Sequence, residues 1–573
     1  MNDPIDIISQ NVLWNRLVSV CEEQANALMR AAFGAIVREA GDLSAGVFNA
    51  KGEMLAQAVT GTPGHVNTMA ASVRAMLEFA PAKTLSEGDA LVTNDPWLGA
   101  GHVFDFVVVT PAFLNSKIIG YLASTSHVVD VGGRGWSAEA RSVFEEGVTI
   151  PVMRLRKLGA LNEDLLGIVT TNSRVPHEAR GDILSLLTSN DTGVVRLLQL
   201  MAEYEISDLN AVSEFIFARS AQGTKAALSR VPRGVYKNTL VLDGYDAPIE
   251  LRAKMTIGEG RIDVDLKGSS SVANRGINCP LNYAAAYAAF GIRALLTPDM
   301  PNNQASLDAI SITAPPGLVV SAERPSPVTA RHVVGQALPD LMLGCLEQAL
   351  PGAVLAESSG SLWTISLSGA GRAQFSSLNV ALGGMGARPT SDGLSTTAFP
   401  SGVGAVPVEV AEVAAPLIYY SKEFASDTGG AGQYRGGLAQ QIEIGSRLNE
   451  DLSMSAAAFE RLTSGPSGRQ GGRDGAAGHV QITDGTKVID KSVYRIPAGE
   501  RVILQTPGGG GFGKPVDRDR DAVARDLSNG LISKEAATTL YQENQMGGRH
   551  HDNNEINHGC DSGNGSEHGH RKC

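Results

Sequence analysis

The sequence predicts an α+β fold, a large mixed sheet-and-helix architecture with many short strands. Two observations carry this expectation. The 65 glycines are scattered among short apolar runs with no collagen-like period, which favours turns and short strands over a helical bundle. Apolar residues recur at three- and four-residue spacing in some segments and in compact β-rich runs in others, so both periodicities occur in one chain.

From Ile8 to Val37 the helical spacing predicts one long or two short helices. "SAGVFNAKGEMLAQ", Ser44 to Gln57, predicts a hairpin turning at Asn49-Ala50-Lys51-Gly52. A helix over Val66 to Phe79 and a strand over Ala90 to Thr93 follow. Val175 to Gln222 reads as mostly helical. "LVLDGYDAPIELRAKMTIGEGRIDVDLKG" reads as a three-stranded meander with turns at Gly244 and Gly258–Gly260. Asn282 to Leu296 is a small-residue helix suited to close packing on a sheet. Short strands alternate with Gly-rich turns from Ile365 to Val502, and a helix over Asp517 to Tyr541 closes the ordered part. Residues 1–546 thus form the working region, with candidate subdivisions near 225–235 and 355–365. Residues 547–573 hold five of the eleven histidines and almost no apolar side chains, the composition of a disordered tail.

A net charge of −12 argues against nucleic-acid or anionic-membrane partners, which need clustered Lys and Arg. No stretch approaches ~18 uninterrupted apolar residues. The start, "MNDPIDIISQN", lacks a basic segment followed by an apolar one, so no secretory signal is expected. The five cysteines show no CxxC or scaffold spacing, which fits reduced thiols and a cytoplasmic location.

The chemistry concentrates in "NDPWLGAGHVFDFVVVTPAF", Asn94 to Phe113, where His102 and Asp105 precede an apolar run. Past Phe113 the chain turns at Asn115-Ser116 and returns through "KIIGYLASTSHVVD". A turn centred between Leu114 and Asn115 gives opposed residues an index sum of 229, which pairs His102 with His127 across the strand ends. Two facing imidazoles and a nearby carboxylate suit a divalent cation. Asp105 lies three residues from His102 and in a regular strand would face the other way. A bulge or a pre-strand loop after Gly99-Ala100-Gly101 would re-aim it. Asp130 is the symmetric carboxylate after His127.

These blocks, with "SHVVDVGG", "EEGVTIP" (Glu145–Pro151), "NSRVPHEARGD" (Asn172–Asp182), "INCPLNYAAAY", "GGMGARPTSDG", "DTGGAGQYRGGL" (Asp427–Leu438) and "TPGGGGFG" (Thr506–Gly513), resemble the hydantoinase B/oxoprolinase family in order and completeness. The resemblance runs to about Tyr541 and takes in ketone carboxylases as distant relatives. It implies the α+β fold of the hydantoinase B type and a divalent metal, zinc or manganese. The implied ligands are His102, Asp105, His127 and Asp42 in "REAGDLSAG"; Asp42 comes from the resemblance alone. Asp130 would orient His127 through its second ring nitrogen. ATP would enter through a hydantoinase A-type subunit, and the substrate would be a small cyclic amide: a hydantoin, 5-oxoproline or a lactam. A ketone carboxylase subunit and a non-catalytic scaffold for the A-type subunit are the alternatives. Two departures bear on the pocket. Ser126-His127 stands where the family commonly has paired histidines, and "GTPGHVNTM" keeps a single one, His65.

Other motifs read as structural. "TPGGGGFG" lacks the G-K-[ST] ending of a phosphate loop, since Pro515 follows Lys514, and is expected to be a tight turn or a loop against a partner. Arg435 is expected to be structural, His332 to cap the helix that follows it, and no G-x-S-x-G elbow occurs.

Overall fold

The computed structural model describes residues 7–59, 62–369, 375–397 and 399–542. The tail expected at 547–573 lies outside them. The first helical segment divides into Ile7–Ala31 and a short Ala35–Arg38. The helix expected from Val66 begins three residues earlier, at Pro63, where Thr62 accepts the His65 N–H as N-cap.

The first sheet holds β1 (Leu43–Asn49), β2 (Met54–Gln57), β3 (Ala90–Thr93), β4 (Asp105–Leu114), β5 (Lys117–His127), β6 (Met153–Lys157) and β7 (Ala160–Leu161). Their order is β2-β1-β5-β4-β3-β6-β7, antiparallel throughout. Alternate residues explain the apolar run of β4. Phe106 and Val108, with Ala45 and Val47, face the helices Ile7–Ala31 and Pro176–Glu203. Val107 and Val109, with Phe48 and Tyr121, face the helix Pro63–Phe79. A strand buried on both faces has no polar face to alternate with. Inside this packing Gln24 donates to the Ala123 carbonyl and Asn190 Oδ1 at 2.9 and 2.7 Å.

A second sheet contains β8 (Gly234–Leu242), β9 (Ile249–Ile257), β10 (Ile262–Asp265) and β11 (Ile310–Thr313), ordered β11-β10-β9-β8. The first three form the expected meander, and β11 joins β10 in parallel. The helix Leu281–Leu296 packs chiefly on the helices Pro63–Phe79 and Leu338–Ala349, where a sheet was expected. Its small residues serve helix–helix approach: a Cβ on Gly291 would lie 2.6 Å from Pro339 Cα.

The last third folds as β12 (Trp363–Gly369), β13 (Ser376–Ala381), β14 (Leu417–Ala425), β15 (Ala439–Ser446), β16 (Leu452–Ser455), β17 (His479–Ile482), β18 (Val493–Ile496) and β19 (Arg501–Gln505). They make two four-stranded sheets, β13-β12-β16-β18 and β14-β15-β19-β17, sharing one core of Trp363, Ile365, Ile442, Phe459 and Leu504.

"TPGGGGFG" is neither a turn nor a surface loop. Its four consecutive glycines, Gly508 to Gly511, are buried, and their N–H groups donate in succession to the carbonyls of Ala476, Gly437, Glu357 and Arg473 at 2.9–3.0 Å. A Cβ on Gly509 would collide with the Met385 carbonyl, so side chains are excluded by backbone contact on several sides. The single closing helix expected over Asp517–Tyr541 is two, Arg520–Ser528 and Lys534–Leu540. Gly530 breaks them at φ +69°.

Candidate metal centre

The β4–β5 hairpin forms, but its register differs from the expected one. Asp105, not His102, lies opposite His127. Asn115 and Ser116 both take positive φ (51° and 63°) as the two central turn residues, and a bulge after Ala112 shifts the pairing further. His102 sits before the strand, in the turn closed by the Asp105 N–H on the His102 carbonyl at 3.4 Å. The pre-strand loop therefore re-aims the residues, and the two imidazoles still meet, with ring centroids 5.4 Å apart.

The loop is held from three sides. Asn94 donates to the Val103 and Val148 carbonyls at 2.6 and 2.9 Å and accepts the Ile150 N–H at 2.6 Å. Asn282 donates to the Gly99 carbonyl at 2.7 Å. Gly101 (φ +94°) leaves room for Arg331, whose Cδ is 2.6 Å from where a Cβ would stand.

One ligand atom each from His102, Asp105 and His127, all buried, can be chosen within 4.8 Å of one another. The hydrogen bonds around them set the donor atoms. His102 Nδ1 is 3.1 Å from the Thr329 carbonyl; a carbonyl only accepts, so Nδ1 carries the proton and Nε2 the lone pair. Burial and the Arg331 charge push the His102 pKa down to about 3, so the ring is neutral near pH 7. Its Nε2 nevertheless lies 2.8 Å from Asp105 Oδ1, and His127 Nδ1 lies 3.5 Å from the same oxygen. Neither His102 Nε2 nor Asp105 Oδ1 makes an aligned hydrogen bond. A lone pair facing a carboxylate oxygen at that range is repulsive unless a cation is shared between them. The donor set of two imidazoles and a carboxylate suits zinc or manganese.

Asp105 Oδ2 is fully engaged elsewhere, by His65 Nε2 at 2.9 Å and an Arg331 guanidinium nitrogen at 2.5 Å, which leaves Oδ1 for the ion. Burial would raise the Asp105 pKa, but the positive charge beside it, from His65 and Arg331, holds it well below the usual carboxylate range. Asp42 is not among the three converging residues. It lines the same pocket, but its Oδ1 faces His65 Nδ1 at 3.4 Å. Burial opposes a charge on His65; Asp105 and Asp42 outweigh it and raise the pKa.

Asp130 does not orient His127. Its oxygens accept from the Arg174 N–H and guanidinium at 2.5 and 2.6 Å and from the Gly132 N–H at 3.1 Å. His332 does not cap its helix either, since the His332–Gly335 turn has no side-chain cap. Its buried ring lines the pocket and leans on Trp136, neither nitrogen makes an aligned hydrogen bond, and burial pushes its pKa down to about 3. Arg435 is structural, as expected, paired with Asp526 at 3.1 Å.

Sequence reasoning missed His65 and Arg331 as parts of the site. The motif around His65 offered a signal; Arg331 offered none beyond adjacency to His332. Glu146 was also missed. Its Oε1 accepts the Val328 and Thr329 N–H groups at 2.6 and 2.8 Å, fixing the carbonyl that sets the His102 tautomer. Burial raises its pKa to about 7.

The pocket is a cavity of about 50 Å³ that is partly open to solvent. Besides the centre just described its lining takes in the aliphatic Ile36, Leu362, Val403 and, from β13, Leu378 and Val380, together with Thr364 of β12 and Gln336.

The model of the hydantoinase B/oxoprolinase family matches residues 6–515, and the chain belongs to that family. It is 29% identical to an uncharacterized protein of Methanocaldococcus jannaschii over 94% of this chain and 96% of the relative. It is 26% identical to a putative B-type D-/L-hydantoinase subunit of a Pseudomonas strain, over 94% and 95%. A 5-oxoprolinase of Arabidopsis thaliana is 25% identical over 89% of this chain, which spans only 42% of that longer protein. Among solved structures, the ATP-dependent caprolactamase of Pseudomonas jessenii superposes with a TM-score of 0.86 at 22% identity, covering 94% of this chain and 96% of that one. A nucleotide-free acetone carboxylase gives 0.79 at 20% identity, over 93% and 79%. Both show the fold.

Proposed function

We propose that this chain is the metal-bearing catalytic subunit of an ATP-dependent cyclic-amide hydrolase, opening a hydantoin, oxoproline or lactam ring with an ATP-binding A-type subunit in the cytoplasm. The observation that carries the reading is the buried His102–Asp105–His127 cluster, whose facing lone pairs call for a shared cation. Asp42 completes the set in this proposal, because its buried Oδ1 makes no aligned hydrogen bond and it lines the same pocket.

A divalent ion held there would supply Lewis acidity toward a ring carbonyl or activate a water. The chain's own residues supply the rest. The Thr329 carbonyl keeps the proton on His102 Nδ1. His65 and Arg331 hold Asp105 ionised and point Oδ1 into the site. Trp136 stands edge-on to both His102 and His127 and shields them from bulk water. An unstrained amide is a poor electrophile, which gives a reason to couple ring opening to ATP. The relatives named for hydantoinase and oxoprolinase activity favour hydrolysis; the acetone carboxylase likeness rests on fold alone, and the buried donor set argues against a bare scaffold.

The test is metal analysis of the purified chain followed by reconstitution with an A-type partner. Stoichiometric zinc or manganese, and ring opening only with partner and ATP together, is the expected result. Full turnover by the chain alone without nucleotide would make it a simple metal-dependent amidohydrolase instead.

A further inference from the structure

We propose that the ring substrate is electrically neutral and carries hydrocarbon, with no carboxylate beside the amide; this deepens the cyclic-amide reading and rests on it. Ile36, Leu362, Leu378, Val380 and Val403 line the pocket together with the polar centre. These side chains solvate methylene groups and give an anion nothing to bond to.

A substrate carboxylate needs a counter-charge. Among the described lining residues the one Arg or Lys is Arg331, and it is committed. Its Nε donates to the Ala100 carbonyl at 2.6 Å, a terminal nitrogen binds Asp105 at 2.5 Å, and the guanidinium lies 4.1 Å over the Tyr283 ring. Asp42 and Asp105 add negative charge to the same wall. His65 is likewise taken up, between Asp105 Oδ2 at 2.9 Å and Asp42 Oδ1 at 3.4 Å, so the remaining counter-charge would be the ion, where a substrate carboxylate would take the position that the reacting carbonyl needs. His332 lines this pocket with neither ring nitrogen in an aligned hydrogen bond, one donor and one acceptor that match the two halves of a ring amide.

The experiment compares 2-pyrrolidinone with 5-oxoproline, two five-membered lactams that differ by one carboxylate, with ε-caprolactam as a more apolar probe. Binding to the full chain loaded with zinc is measured by ligand-observed NMR, and turnover by the chain reconstituted with its A-type partner and ATP. The neutral lactams should bind at least tenfold more tightly than 5-oxoproline, with ε-caprolactam the tightest, and kcat/KM should favour them about a hundredfold. Leu378→Arg, at a partly exposed position on β13, should improve 5-oxoproline binding and weaken ε-caprolactam; a melting curve confirms that the variant folds. Equal or tighter binding of 5-oxoproline by the unmodified chain overturns the inference while leaving the hydrolase reading intact. A complex that opens no lactam ends the hydrolase reading, and the binding order still decides this one.

Discussion

Asp105→Asn isolates the centre with the least steric change. The substitution keeps shape and one acceptor but removes the charge that faces His65, His102 and Arg331 at 2.9, 2.8 and 2.5 Å. Arg331 is then a buried cation without its ion-pair partner. Breaking one side of a buried pair costs about 3–5 kcal/mol, and the retained amide oxygen places the loss near the lower end, about 3 kcal/mol. Unfolding entropy is about 2.1 cal/mol/K per residue, so for cooperative unfolding of a chain of 573 residues this lowers Tm by about 3 °C. A second, separable effect is linkage. Metal at about a hundredfold excess over its Kd stabilises the unmodified protein by about 2.7 kcal/mol, or about 2 °C. Calorimetry with chelator and with added zinc or manganese should show a metal-dependent rise in Tm for the unmodified chain and none for Asp105→Asn. Asp130→Asn is the control. It removes the same charge from a carboxylate bound to a half-exposed Arg174, should cost about 1–3 kcal/mol because its buried oxygens also accept the Arg174 and Gly132 N–H groups, and should keep the metal shift. If Asp105→Asn retains a stoichiometric ion, or Asp130→Asn loses it, the centre has been placed on the wrong residues.

Glu146→Gln should flatten a pH dependence. Its folded pKa of about 7 is raised from 4.5, so the stability associated with its protonated form is full below about pH 4.5 and lost as pH rises through 7, on the order of 3 kcal/mol; denaturant titrations from pH 5 to 8 should show that slope in the unmodified chain and its loss in the variant. His332→Ala should leave metal content unchanged by elemental analysis while lowering kcat of the reconstituted enzyme tenfold or more, and unchanged kcat would exclude its ring from substrate contact. Gly509→Ala, whose Cβ would meet the Met385 carbonyl, should cost more than about 4 kcal/mol and yield little soluble protein; normal expression with an unshifted melt would contradict the close backbone packing there.

What the sequence revealed about the site was chemical type more than geometry. The β4–β5 hairpin and its two histidines follow from local patterning: β-rich runs, a turn signal, polar residues where a strand begins. The register does not, because it depends on two positive-φ turn residues and a bulge near Ile119 that no propensity announces. His102 reached His127 through the pre-strand loop although the expected pairing was three residues off, so the right neighbours came from the wrong register. Asp130 and His332 were judged by nearness in sequence; Asp130 went to Arg174, 44 residues away, and His332 went to the pocket. Arg331 binds Asp105 across 226 residues, beyond any local signal. The glycines of 508–511 were legible as unusual and not as buried, because close approach by four other segments is a property of the assembled fold.

The placement of the pocket separates two demands on one fold. The donor atoms come from β4, β5 and the loop before them, inside the core of the first sheet. The aliphatic lining comes largely from β13 and from loops at Leu362 and Val403, some 250 residues later. The centre needs fixed tautomers and fixed charges, so His65 and Arg331, buried around Asp105, cannot be exchanged singly without leaving an unpaired group. The opposite wall is van der Waals surface, where one aliphatic residue replaces another at a cost near 1 kcal/mol. Under the proposed function, substrate preference would change through positions such as Leu378 without disturbing the proposed ligands His102, Asp105 and His127. Relatives in this family are named for hydantoins, oxoproline and caprolactam, a range of rings that such a division would allow.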